Sequence, residues 1–182
     1  VDRWPEEERR LEAPEGEGRI YFVVRDTLTA LGDLAAFYRQ RHTVTVIGVT
    51  GSNGKTTTKD MIAHVLSSRA PVLKSRSSFN NFIGVPLTLF ELTRDHDVAV
   101  IEMGANHPGE IRRLAEIASP GIGVLTNIGE AHLEGFGSLE GVARGKGELL
   151  DTMGGNSVAV VNGDDPWCIK LKRICRGKID FI

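Results

Sequence analysis

The 182-residue sequence carries 22 Lys and Arg against 24 Asp and Glu, a net charge of −2, and is 41% hydrophobic. This composition is typical of a soluble globular protein. Because the chain has no basic excess, it gives no support to a nucleic-acid partner, and any anion site must be built locally. It contains neither a run of about eighteen apolar residues nor a leader segment, so we expect no membrane insertion. Cys168 and Cys175 are expected to be reduced thiols.

The N-terminal part is predicted to be a linker followed by one strand and one helix. Residues 1–18 are charged and rich in Pro and Gly, which is typical of a linker. The apolar run at residues 20–24 favours a strand. Asp26 or Thr27 can cap a helix that ends near His42. Its packed side is predicted to carry Leu28, Leu31, Leu34, Ala35 and Tyr38.

From residue 43 onward, strands and helices alternate. Apolar, β-branched runs predict strands at residues 43–49, 71–73, 98–101, 122–126, 158–161 and 179–182. Helical spacing of apolar residues predicts helices over residues 56–68, 111–118, 139–150 and 167–175. Strands that are apolar throughout are buried on both faces. We therefore predict an α/β fold of the P-loop type, with a mostly parallel sheet covered by helices on both faces and ligands at the carboxyl ends of its strands. Because the last strand reaches the C-terminus, we expect the domain to be incomplete.

The most specific motif is a glycine-rich loop between the first of these strands and the next helix. Residues 48–58 read G-V-T-G-S-N-G-K-T-T-T. Glycines let backbone N–H groups turn toward phosphate oxygens, and the start of a helix adds a positive dipole end. The strict P-loop pattern has a glycine where this chain has Val49, so the loop is a variant. The predicted nucleotide-binding residues are Gly51, Ser52, Asn53, Gly54, Lys55, Thr56 and Thr57, with Lys55 on the terminal phosphates and the Thr56 hydroxyl on Mg²⁺.

Two further residues follow strands at the predicted ligand edge, and a third candidate lies on a helix. Glu102 comes directly after the strand at residues 98–101, where a carboxylate can hold Mg²⁺ or remain solvated. His132 follows the strand at residues 122–126, and the residue pattern leaves a functional and a structural role equally open. Lys146 lies on a helix, and its default interpretation is a solvated surface lysine.

Together these segments resemble the ATP-dependent Mur ligases of bacterial peptidoglycan synthesis, from about residue 26 to residue 165. The loop at residues 50–59 resembles the family's phosphate loop, including the missing early glycine. The other matching segments resemble the family member that adds D-alanyl-D-alanine to a UDP-N-acetylmuramoyl-tripeptide. They are residues 79–88, 102–106, 127–143 and 162–165.

The resemblance implies roles for the candidate residues. Glu102, His132 and Thr56 would help to bind Mg²⁺, and Lys146 matches a lysine that is carbamylated by CO₂ and then associates with metal. A neighbouring lysine common in the family is Arg144 here. The residues implied to be catalytic are Lys55, Lys146 and His132, and those implied to meet the substrate are Asn80 and Asn81.

The resemblance also implies a reaction and a domain plan. The reaction joins D-alanyl-D-alanine to UDP-N-acetylmuramoyl-tripeptide through an acyl phosphate, in the cytoplasm, with a monomeric enzyme. Residues 1–42 resemble the end of an N-terminal UDP-substrate domain plus a linker. Residues 43–182 resemble a truncated ATP-binding central domain. We expect residues 1–182 alone not to catalyse ligation, because domain closure assembles such sites.

Three alternatives stay open at this point. Another Mur-type ligase or a folylpolyglutamate-type ligase would share Lys55 and His132, although the segments around Asn80 and His132 argue against it. A GTPase-type switch would need a guanine-reading Asn-Lys-x-Asp segment, which the sequence lacks. A non-catalytic nucleotide-binding module is the third alternative.

Overall fold

The computed structural model describes residues 22–182, and it confirms the predicted parallel α/β sheet. The six strands are β1 (Thr45–Thr50), β2 (Val72–Lys74), β3 (Val98–Glu102), β4 (Ile122–Leu125), β5 (Val158–Val161) and β6 (Lys178–Phe181). They pair in the order β2-β3-β1-β4-β5-β6, and every pair is parallel. Each strand lies within two residues of its predicted position.

The helices agree with the predictions except where they are short. They are α1 (Thr27–Gln40), α2 (Lys55–Leu66), α3 (Gly84–Leu89), α4 (Glu110–Ala118), α5 (Leu133–Phe136), α6 (Leu139–Thr152) and α7 (Pro166–Lys170). The prediction missed α3 and α5, which are too short for a helical period to show. The predicted helix at residues 167–175 is instead α7 followed by a 3₁₀ turn, Leu171–Ile174.

Side chains of β1 alternate between two cores. Val46 packs in the larger core, between the sheet and the helices α1, α3, α4, α6 and α7. Ile47 and Val49 pack in a smaller core under α2, with Ala63. Burial on both faces explains why β1 has no polar residue between Val46 and Val49.

The N-terminal predictions have a mixed outcome. The predicted linker and residues 20–21 lie outside the described residues, and residues 22–24 belong to no strand. Asp26 caps α1 by accepting from Thr29 N at 2.6 Å, as predicted. Leu28 and Leu34 are exposed, so their predicted packing was wrong. The buried stripe of α1 is built on Gly32 and Ala35 instead.

α1 packs against the same core as the later elements. The Tyr38 hydroxyl donates to Leu92 O at 2.9 Å, and Arg113 pairs with Asp33 at 2.5 Å. Whether residues 1–42 belong to a preceding domain stays a prediction. Over residues 22–182, no helix is both long and apolar enough to cross a membrane.

The strand order places the functional loops side by side. β1 leads into the glycine-rich loop, and its two neighbours are β3, which ends at Glu102, and β4, which leads toward His132. In a parallel sheet the carboxyl ends of all strands share one edge. The three loops therefore meet at that edge.

Candidate active site

The glycine-rich loop takes backbone conformations that require glycine. Gly51 has φ of 143°, and a Cβ there would lie 2.0 Å from the Thr126 hydroxyl oxygen. Gly54 has φ of 77° and is the N-cap of α2. Any other residue at position 51 would clash with Thr126 and would be forced into an unfavourable positive φ. The chain can therefore turn directly from β1 into α2.

The loop is fastened to the segment that follows β4. The Asn127 side chain accepts from Asn53 N at 2.9 Å and donates to Asn53 O at 3.1 Å. The Thr126 hydroxyl donates to the same carbonyl at 2.6 Å, and Ser52 N donates to Asn127 O at 2.9 Å. The N–H groups of Ser52 and Asn53 are thus already engaged within the protein.

The first N–H groups of α2 are better placed for an anion than those of Ser52 and Asn53. The first N–H groups of an α-helix have no carbonyl partner within the helix, and here they belong to Lys55, Thr56 and Thr57. Their dipoles add a positive end at the same place. Among the seven predicted nucleotide-binding residues, the structure therefore favours the later ones for direct N–H contact with phosphate.

Lys55 folds back over its own loop. Its Nζ donates to Gly51 O at 2.8 Å and to Ser52 O at 3.0 Å. Burial lowers the pKa of Lys55, against the opposing effect of the Glu102 charge. An anionic phosphate is a stronger acceptor than these two carbonyls. The lysine is therefore held at the site by bonds that a nucleotide can replace.

Glu102, the last residue of β3, is only 2% exposed. Its two carboxylate oxygens accept from the Thr56 hydroxyl and from Asn80 Nδ2, each at 2.8 Å. Among the described residues, no group of three or more His, Cys, Asp or Glu side chains forms a metal site. Mg²⁺ is commonly held by one or two carboxylates together with phosphate oxygens and water. The adjacent carboxylate and hydroxyl of Glu102 and Thr56 fit that ion.

The two asparagines predicted to meet substrate have different surroundings. Asn80 contacts Glu102, and its carbonyl accepts from Gly104 N at 2.8 Å. The Asn81 side chain accepts from Ile83 N at 3.1 Å and from Gly84 N at 2.9 Å, at the start of α3. Both line the same cavity. Asn80 is tied to the carboxylate, whereas the Asn81 carbonyl oxygen is used to begin a helix.

Lys146 is buried, so its default interpretation as a surface lysine was wrong. It is 1% exposed, on the inner side of α6. Its Nζ donates to Ala105 O at 3.0 Å and lies 5.4 Å from the centre of the Phe136 ring. Burial, followed by the nearby charge of Lys55, lowers the pKa of Lys146 from 10.5 to about 8. A substantial neutral fraction of the amine therefore exists near neutral pH.

His132 is exposed and has φ of 56° and ψ of 37°, a left-handed conformation that is uncommon outside glycine. It precedes α5 directly. It shares a cavity of about 290 Å³ with Lys55, Asn80, Glu110 and Lys146. The cavity opens at the carboxyl edge of the sheet, so the structure brings the predicted histidine and both lysines to one place.

Sequence reasoning missed a buried lysine behind the carboxylate. Lys59 is 2% exposed, and its Nζ donates to Ser75 O at 2.9 Å. The Ser75 hydroxyl in turn accepts from Glu102 N at 3.1 Å. No local pattern marks this connection, because Lys59 follows a run of three threonines and is like any helix-surface lysine in sequence.

Comparison with known proteins agrees with this arrangement. Residues 49–180 match the Mur ligase middle domain. The chain belongs to the Mur ligase family. The match begins at the end of β1, includes the phosphate loop, and ends within β6, so it contains every candidate residue named above.

The most similar Mur ligases share one activity in their names. A UDP-N-acetylmuramoyl-tripeptide–D-alanyl-D-alanine ligase of Synechocystis is 48% identical over 164 residues, covering 90% of this chain and 36% of that protein. A crystal structure of MurF from Acinetobacter baumannii has a TM-score of 0.84 at 41% identity, covering 87% of this chain and 36% of that one. The MurF ligase of Thermotoga maritima, in complex with ADP, has a TM-score of 0.82 at 36% identity. The match covers 88% of this chain and 37% of that one. The chain thus spans about a third of the length of these relatives.

Proposed function

We propose that this chain is the ATP-binding part of a ligase that joins D-alanyl-D-alanine to UDP-N-acetylmuramoyl-tripeptide. The observation that carries the proposal is the cavity lined by Lys55, His132 and Lys146 beside the phosphate loop. The Lys55 cation in this small cavity favours a site for anions, and the proposed reaction brings two anions together there. The 48% identity to a ligase of this name supports the choice of substrates.

The nucleotide phosphates would bind over the start of α2. Lys55 would exchange its two carbonyl acceptors for terminal phosphate oxygens, and the N–H groups of Thr56 and Thr57 would donate to the same group. These donors are held in place before the reaction. They therefore stabilise charge on the transferring phosphoryl group without reorganisation.

The carboxylate of the tripeptide is a poor electrophile until it is phosphorylated. One of its oxygens would attack the γ-phosphorus, and ADP would leave. The D-alanyl-D-alanine amine would then attack the acyl carbon, lose a proton and displace inorganic phosphate. Lys55 would hold the phosphoryl group, and the cavity beside it would receive the carboxylate.

Mg²⁺ would be held by Glu102 and by the Thr56 hydroxyl. Bound there, the ion would neutralise charge on the phosphates and orient them. Asn80 donates to the other oxygen of Glu102 and so fixes the direction in which the carboxylate points. His132 lines the same cavity and is proposed to take part in the metal site.

Lys146 is proposed to react with CO₂ to give a carbamate. The lysine ammonium first loses one proton to solvent, and the neutral amine then attacks the carbon of CO₂ and releases a second proton, so the charge of the side chain changes from plus one to minus one. With a pKa of about 8, about a tenth of the amine is neutral at pH 7, compared with well under a thousandth for an ordinary lysine. A ¹³C-bicarbonate NMR experiment should show a carbamate signal that is lost in Lys146→Met. A signal of the same intensity in that variant would remove the assignment.

The domain plan is also a proposal. Residues 1–42 would end a UDP-substrate domain, and residues 43–182 would form the first part of the central domain of a monomeric, cytoplasmic enzyme. Since these residues span about a third of the relatives' length, we propose that residues 1–182 bind nucleotide without completing ligation.

Phosphate release from ATP by the natural full-length protein tests the substrates. We expect release only when UDP-N-acetylmuramoyl-tripeptide and D-alanyl-D-alanine are both present. Single amino acids and glutamate-bearing acceptors serve as controls for other Mur-type and folylpolyglutamate-type ligases. Release driven by one of those acceptors, or nucleotide binding with no release under any condition, would contradict the proposal.

A further inference from the structure

One conspicuous acidic residue lies outside the proposed reaction. Asp165 stands at the end of the segment formed by residues 162–165, after β5. It is the N-cap of α7 and accepts from Trp167 N at 2.8 Å and from Cys168 N at 3.2 Å, both through Oδ1. Its other oxygen, Oδ2, is not used for the helix. It accepts from Ile128 N at 2.7 Å, in the segment that follows β4.

The segment reached by Asp165 is the one that fastens the phosphate loop. A second residue of the same turn, Asn162, donates to Thr126 O at 3.0 Å. Residues 126–128 are thus held from one side by Asn162 and Asp165. From the other side, Thr126 and Asn127 hold the peptide of Asn53 in the phosphate loop.

A third connection fixes the far end of the segment. Gly129 N donates to the Ser52 hydroxyl at 2.8 Å, and that hydroxyl donates to Gly129 O at 3.1 Å. Residues 126–129 therefore form a bridge, bonded to the phosphate loop on one side and to the turn after β5 on the other. His132 lies three residues beyond the end of this bridge.

We propose that Asp165 is a positioning residue for the phosphate loop, which acts through Ile128 and Asn127 to hold the Asn53 peptide in its nucleotide-receiving conformation. The inference rests on the proposed nucleotide binding. The Asp165 carboxylate contacts the backbone N–H groups of Ile128, Trp167 and Cys168 and the Cys168 thiol, all of them outside the phosphate loop, so its effect on the nucleotide is indirect. Burial raises the pKa of Asp165, but the three N–H donors and the Cys168 thiol together hold it below its ordinary value, so the carboxylate remains ionised and accepts these bonds.

Two substitutions separate this role from helix capping. Asn and Ser cap helices about as well as Asp. Asp165→Asn keeps one oxygen for α7 but turns an NH₂ group toward Ile128 N, so two donors face each other. Asp165→Ser keeps a capping oxygen and has no second acceptor. Asp26→Asn is the matched control, because Asp26 caps α1 and accepts hydrogen bonds from Thr29 and Leu28 at the start of that helix.

The test measures Mg-ATP affinity by calorimetry and hydrogen exchange of the Ser52 and Asn53 amides, both in the natural full-length protein. We expect both Asp165 variants to bind Mg-ATP about tenfold more weakly, the cost of one charge-assisted hydrogen bond. Exchange at both amides should accelerate even without nucleotide. Asp26→Asn should change neither quantity. Wild-type affinity and wild-type exchange in both Asp165 variants, or a lower melting temperature alone, would overturn the positioning role.

A double-mutant cycle with Asn127→Ala tests the route. If Asp165 acts through Asn127, Asp165→Ser should weaken binding by less than about twofold in the Asn127→Ala background. An equal loss in both backgrounds would overturn the route. If the wild type itself failed to bind Mg-ATP, the proposed function would fall. The exchange data would then decide the positioning role separately.

Discussion

The two edges of the sheet each carry a cavity, and they differ in how their charged groups are used. The cavity at the carboxyl edge measures about 290 Å³ and contains Lys55 and Lys146. The cavity at the amino edge is larger, about 640 Å³, and contains Arg39. Arg39 donates to the carbonyls of Ala118 at 2.8 Å, Val44 at 3.2 Å and His42 at 3.3 Å.

Cavity size is therefore a poor guide to function in this fold. At the amino edge, one guanidinium satisfies carbonyls from the end of α4 and from the entry to β1, so it joins structural elements. At the carboxyl edge, Lys55 bonds only to its own loop and Lys146 to a single carbonyl. An anion can replace the two bonds of Lys55 without separating two elements. The following predictions test that difference.

The largest effect is expected for Lys55→Ala. Because this lysine would contact the transferring phosphoryl group, its loss should lower ATP turnover about 10³-fold while the fold remains intact. Lys74→Ala is the matched control, since Lys74 is an exposed lysine paired with Asp60 at 2.7 Å. Steady-state phosphate release measures both variants. Unchanged turnover in Lys55→Ala would remove the phosphate-loop assignment.

Lys146→Ala should lower turnover about 10²-fold, because the proposed carbamate anion would be lost from the site. Acetate or formate should restore part of the activity by occupying the space left by the side chain. The exposed Lys172→Ala serves as control. Wild-type activity in Lys146→Ala, in the absence of added carboxylate, would contradict the carbamate.

Arg39→Met should reduce the stability of the fold and leave nucleotide binding unchanged, the opposite of what is expected for the two lysines. We expect a loss of about 2 kcal/mol in the free energy of unfolding, because three carbonyls lose a charged donor. Mg-ATP affinity should not change. Arg41→Met, on the same helix end but stacked over the Phe37 ring at 4.6 Å, should cost much less. Urea unfolding and calorimetry provide the two measurements, and a fall in affinity for Arg39→Met would break the distinction between the two edges.

The smallest effect is a pH dependence that belongs to Lys146. Its pKa of about 8 in the folded protein lies below its unfolded value, so the unfolded state binds more protons between these values and stability rises with pH. From pH 7.5 to pH 9 the contribution is about 1 kcal/mol. The contribution of Lys146 is isolated by measuring the free energy of unfolding of wild type and of Lys146→Met as a function of pH, both without bicarbonate. Parallel pH profiles for the two proteins would show that Lys146 titrates normally.

Local patterns predicted the sheet well and the short helices poorly. The strand at residues 98–101 is a run of apolar, mostly β-branched residues, and that signal survives without tertiary context. α3 spans only six residues and includes Pro86, so no helical period could indicate it. Its start depends on the Asn81 side chain, which the family resemblance assigned to substrate.

The candidate site was predictable as a set of positions but not as a set of contacts. Glu102 was placed at the sheet edge because it follows a strand directly. The burial of Lys146 depends on how α6 packs against Phe136 and Ala105. No local sequence pattern connects Lys146 with either residue. Asp165 before Pro166 is a recognisable helix start. Its second bond, to Ile128, could not be inferred because it joins residues 37 apart.

The central position of β1 has a consequence for synthesis. The glycine-rich loop leaves the ribosome well before its partners: Asn127 is 74 residues beyond Asn53, and Gly129 is 77 beyond Ser52. Until those residues emerge, the loop lacks the bonds that hold it. The nascent chain therefore carries a glycine-rich sequence whose loop is fastened only when the segment after β4 joins it, so we expect the proposed nucleotide site to be completed late in folding.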